Sequence, residues 1–97
     1  MSNERYQEVM TSLDNYFTAE EDVQGIVFGS MYLREIEKTE SETCRPILTP
    51  YQLETFCGKM RELGERALAS ERGRKNFKAI TLVNNVLGRL PAMEAAQ

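Results

Sequence analysis

Histidine and tryptophan are absent from this chain of 97 residues, cysteine occurs twice and proline three times. Without histidine, the most common general base and a frequent metal ligand are missing. Cys44 and Cys57 are thirteen positions apart and leave a thiolate zinc site two ligands short, so neither a structural metal nor a cofactor is expected. Cys57 lies on an apolar helical stripe and reads as reduced core. Cys44 lies beside Arg45 in a loop and reads as an accessible thiol with no base to activate it. The acidic run Glu35, Glu37, Glu40 and Glu42 lacks the alternating oxygen ligands and turn glycine of a calcium loop, and no glycine-rich phosphate loop occurs. These absences argue against an enzyme.

No apolar run approaches membrane-spanning length. The opening MSNERYQEVM mixes both charges instead of presenting a basic and then apolar leader, so a cytoplasmic location is the expectation. With few prolines and glycines there is little room for low-complexity disorder, and a chain of this size is expected to form one cooperative domain spanning 1–97.

The periodicity is helical throughout and predicts an all-α fold, a small four-helix bundle-like domain with helices near 4–17, 19–38, 50–72 and 75–90 and a frayed tail over 91–97. The most apolar stretch is Val23–Ile36. On a helix, Val23, Ile26, Val27, Ser30, Met31 and Leu33 share one broad face, while Phe28, Tyr32 and Ile36 fall opposite. Gly25 and Gly29 lie on one line between them and predict a groove for close helix packing. Two mid-helix glycines cost roughly 1 kcal/mol each relative to alanine, which close packing must offset.

The flanking helices are read in the same way. The first carries one stripe, Tyr6, Val9, Met10, Leu13 and Phe17. Thr18 with Glu21 predicts a capping box that opens the second helix, and Lys38–Pro50 reads as one long connection between helices two and three. Thr49, Pro50 and Gln52 predict a second capping box. Beyond it runs a stripe of Leu53, Phe56, Cys57, Met60, Leu63, Gly64, Ala67 and Leu68, whose small members suggest a close crossing with the central helix. Glu62 and Arg66 are spaced to pair across one turn. Gly73 suits a helix C-cap and Pro91 a helix end. The fourth helix carries two lines, Phe77, Ile80, Asn84 and Leu87, and Ala79, Leu82, Val83, Val86 and Leu90.

Residues 1–42 carry three basic against ten acidic side chains, net minus 7, whereas residues 43–97 carry nine basic against five acidic, net plus 4. Opposite halves of this kind suit intrachain attraction or a head-to-tail partner. Two helices with more apolar surface than one contact uses, and no catalytic constellation, suggest a regulatory protein that binds another protein and masks or bridges its surface. An adaptor, a chaperone or an anti-activator of a transcription regulator fits that description. The anchors expected for that contact, or for a homodimer through the same face, are Phe28, Tyr32, Ile36, Val83, Val86 and Leu90. The alternative is a nucleic-acid-binding regulator that uses Arg72, Arg74, Lys75 and Lys78 at the junction of the third and fourth helices, although the acidic first half repels phosphate.

Overall fold

The computed structural model describes the backbone of residues 2–95 and the side chains of residues 3–91. Four helices make up the fold: α1 (Ser2–Thr18), α2 (Asp22–Thr43), α3 (Pro50–Arg74) and α4 (Phe77–Ala95). No strand occurs among the described residues. α2 and α3 form a central pair that touches every other helix, α1 flanks α2, and α4 lies mainly along α3. Among the described residues α1 and α4 do not meet, and the molecule is 42 × 23 × 18 Å in extent. One continuous core joins all four helices, from Val9 and Leu13 through Ile26, Leu33, Phe56, Met60 and Leu63 to Val83 and Leu90.

The single-stripe helices follow their sequence pattern. Tyr6, Val9 and Leu13 of α1 are buried, and so is the entire α3 stripe from Leu53 to Leu68. α3 begins as its residues predict: Thr49 accepts from the Gln52 amide at 3.1 Å, and the Gln52 side chain accepts from the Thr49 amide at 3.0 Å. Pro50 follows at the first helical position, where a missing amide costs nothing.

Several helix ends differ from the sequence expectation. α1 runs through Thr18, so no capping box forms there, and Glu21 precedes α2 without a side-chain cap. α1 closes instead in a Schellman arrangement, with the Glu21 amide donating to the Tyr16 carbonyl and Glu20 at φ 59°. α2 continues to Thr43, which shortens the expected long connection to 44–49. Within its polar last turns Thr43 Oγ1 donates back to the Thr39 carbonyl at 2.8 Å. Glu40 also accepts from the Ile47 amide at 3.1 Å, pinning the connection to the helix.

Gly73 stays helical, and the left-handed position after α3 falls to Lys75 at φ 58°, with the Asn76 amide closing on the Glu71 carbonyl at 3.0 Å. Asn76 then supplies its side-chain oxygen to the Ala79 amide at 3.4 Å, so α4 begins at Phe77 and not at Lys75. Pro91 lies inside α4, which continues to Ala95. Residues 96 and 97 of the expected frayed tail lie outside the described residues.

Candidate functional site

α2 determines which apolar surface is left open. Besides Asp22 at its start, its buried residues are Gly25, Ile26, Gly29, Tyr32, Leu33 and Ile36, a single stripe with the glycines within it. A Cβ added to Gly29 would sit 2.2 Å from Met60 Sδ, and one on Gly25 would meet Tyr16 Cβ at 3.1 Å and Leu63 at 3.2 Å. The groove expected from these glycines is therefore filled by side chains of α1 and α3 of the same chain.

This packing corrects the anchor set. Tyr32, Ile36, Val83, Val86 and Leu90 are each at most 4% exposed and belong to the intrachain core, with Tyr32 edge-on to Phe56 at 5.4 Å. They are not available as a docking face. Of the six expected anchors only Phe28 reaches the surface, where it is half-buried. The apolar pattern of α2 suggests an outward aromatic side, but the small glycines draw α3 toward their own side, and Tyr32 and Ile36 are carried in with them.

What remains open is the reverse side of α2. Met31 is 60% exposed and Val27 39%. Together with Val23, Gln24, Phe28 and Tyr16 of α1 they line a mainly apolar groove of about 420 Å³. The Tyr16 and Phe28 rings lie 5.8 Å apart and tilted by 46°, forming one end of an aromatic wall. Tyr16 was outside the predicted stripe of α1. That position off the buried line was itself a signal, because a large aromatic there must be covered by something other than the α1 core contact.

A second concavity of about 320 Å³ opens beside the groove, where the α1–α2 turn meets the end of α3, and shares Val23 and Gln24 with it. Glu20, Glu21, Asp22 and Glu71 face it against the single guanidinium of Arg74. Asp22 is buried and fully matched: Arg66 Nε donates to Oδ2 at 2.8 Å and Nη2 to Oδ1 at 2.6 Å. Arg66 also bonds the Phe17 carbonyl and stacks 3.7 Å above the Phe17 ring, so it clamps the end of α1 to the start of α2. The hydrogen bond to Asp22 raises the Arg66 pKa above its ordinary value. The predicted Glu62–Arg66 pair is absent, because Arg66 turns to Asp22 while Glu62 meets Lys59 at 3.2 Å. Gly64, expected at the α2 crossing, receives Leu87 of α4 instead.

Arg72, Arg74, Lys75 and Lys78 are all exposed around the tight α3–α4 turn. Arg74 is held by Glu71 at 3.2 Å, so the basic turn borders the acidic cleft. Cys44 is exposed at the end of α2, Cys57 is buried, and neither forms a disulfide. Among the described residues no group of His, Cys, Asp or Glu gathers as metal ligands, and no helix is long and apolar enough to cross a membrane. No protein family, curated protein or solved structure matches this chain.

Proposed function

We propose that this chain is a small helical regulatory protein that binds another protein and masks or bridges its surface, without catalysis of its own. The supporting observation is the apolar groove of Tyr16, Val23, Val27, Phe28 and Met31, which keeps a 60%-exposed methionine beside an aromatic wall. Methionine and aromatic side chains suit adaptable contact with an amphipathic helix. The groove lies on the acidic half of the chain, with Glu20 and Glu21 close to its end, so the fitting partner helix is apolar on one face and basic at its border. A second copy of the chain is compatible with the same surface, and self-association that competes with a partner would provide regulation. The carboxylates beside Arg74 favour a protein over a nucleic acid as the occupant.

The test compares wild-type protein with Met31→Glu in affinity purification from the native host, with the mass of each purified assembly measured. The reading expects a stoichiometric protein partner, or a dimer, on the wild type and its loss from the variant, while far-UV circular dichroism stays unchanged. A strictly monomeric wild type that retains nothing, or an assembly indifferent to Met31→Glu, would overturn it.

A further inference from the structure

The geometry points to a guanidinium-binding site in the cleft at the end of α3, built around Glu71 and suited to an arginine side chain of the protein seated in the neighbouring groove. Among the described residues Glu71 is one of two buried charged side chains, and it is 8% exposed. Its Oε1 receives Arg74 Nη1 at 3.2 Å, but Oε2 is enclosed and no donor among the described residues reaches it. A buried carboxylate oxygen without a donor is costly, since each unmatched polar group forgoes most of its lost hydration.

The contrast with Asp22 in the same cleft identifies the missing chemistry. Asp22 receives both arms of Arg66, whereas Glu71 holds one contact from an Arg74 side chain that is 72% exposed. Arg74 is mostly in water and offers Glu71 a single contact, so a better-matched donor can take its place, although leaving the buried carboxylate with no donor at all would be costly. Displacing Arg74 would free Oε1, and the proposed occupant is a planar guanidinium whose parallel N–H groups pair with the Glu71 carboxylate as Arg66 pairs with Asp22. An anion is excluded because four carboxylates face the cleft, which outweighs the roughly half positive charge of the α2 N-terminus. The volume of about 320 Å³ accommodates one long side chain. The cleft and the groove adjoin through Val23 and Gln24, so the proposed occupant is an arginine next to the apolar face of a docked helix. The arginine's source rests on the docking proposal; the guanidinium chemistry does not.

The experiment uses the full chain and three probes, followed by NMR shifts of the Glu71 carboxyl carbon and the Asp22 to Gln24 amides. The probes are agmatine and two otherwise identical amphipathic helical peptides with arginine or citrulline beside the apolar face. Agmatine is expected to shift the Glu71 carbon, and the arginine peptide to bind about tenfold tighter than the citrulline peptide. Glu71→Gln should abolish that preference with thermal unfolding checked in parallel, and Arg74→Ala should strengthen agmatine binding several-fold by removing the internal competitor. Equal affinity for both peptides, or agmatine shifts unaltered by Glu71→Gln, would overturn the site and leave the groove proposal intact. Agmatine binding without capture of either peptide would keep the guanidinium chemistry and sink its assignment to a docked helix. Absence of every shift would defeat the site outright.

Discussion

Alanine substitution at two glycines of α3 should move stability in opposite directions. Gly58 and Gly64 are both helical, and a Cβ at Gly58 meets nothing within 4 Å. Gly58→Ala therefore expresses mainly helix propensity and should stabilise by about 0.5–1 kcal/mol. A Cβ at Gly64 would lie 2.7 Å from both Leu87 Cδ atoms and 3.0 Å from Cγ. Carbon atoms rest about 3.5–4.0 Å apart, so the Leu87 tip must retreat by about 1 Å. Turning the two Cδ atoms does not relieve the Cγ contact, which leaves a strained rotamer or a displaced α4. Overpacking of this kind costs about 1–3 kcal/mol, which exceeds the propensity gain and makes Gly64→Ala destabilising by about 1 kcal/mol. Urea unfolding followed by circular dichroism resolves a difference of about 2 kcal/mol between the two variants, provided the denaturant slopes agree. Truncating the neighbour, as in Gly64→Ala with Leu87→Ala, should recover part of the loss as a coupling energy. If Gly64→Ala stabilises as much as Gly58→Ala, the close α3–α4 approach described above is wrong.

Three further outcomes follow from other parts of the molecule. Lys75→Gly should stabilise by about 1 kcal/mol, because Lys75 holds the left-handed position of a Schellman motif at φ 58°, and thermal unfolding reads the change. Tyr32→Ala, which removes a side chain 1% exposed, should destabilise by about 3–5 kcal/mol, whereas Met31→Glu one position earlier should leave stability nearly unchanged; a folded, stable Tyr32→Ala would contradict the burial. Burial pushes the Tyr32 hydroxyl up to about 12 from 10.0, with Glu35 adding to the effect and Arg5 opposing it. The unfolded chain therefore ionises first, so stability present below pH 10 declines as pH rises toward 12. Tyr32→Phe should flatten that decline, and since the hydroxyl has no hydrogen-bond partner among the described residues it should cost little at neutral pH; an unchanged pH profile would refute the assignment.

The residues by themselves determined the all-helical class, the α1 and α3 stripes, the burial of Cys57 and the Thr49 capping box. Each is a local matter of 3.6-residue periodicity or of a side chain meeting an amide three positions away. Helix ends were less legible, because Thr18, Gly73 and Pro91 permit a boundary without requiring one. The actual left-handed positions fell to Glu20, Cys44 and Lys75, none of them the glycine that usually signals such a turn. Only the tertiary structure decided which side of α2 faces water. A helix apolar on several sides can bury any of them, and the choice came from the partners that Gly25 and Gly29 admit, Leu63 and Met60, which drew Tyr32 and Ile36 inward and left Val27 and Met31 at the surface. The cleft was equally beyond sequence reach, since Asp22 and Glu71 line it together only because the α1–α2 turn meets the end of α3.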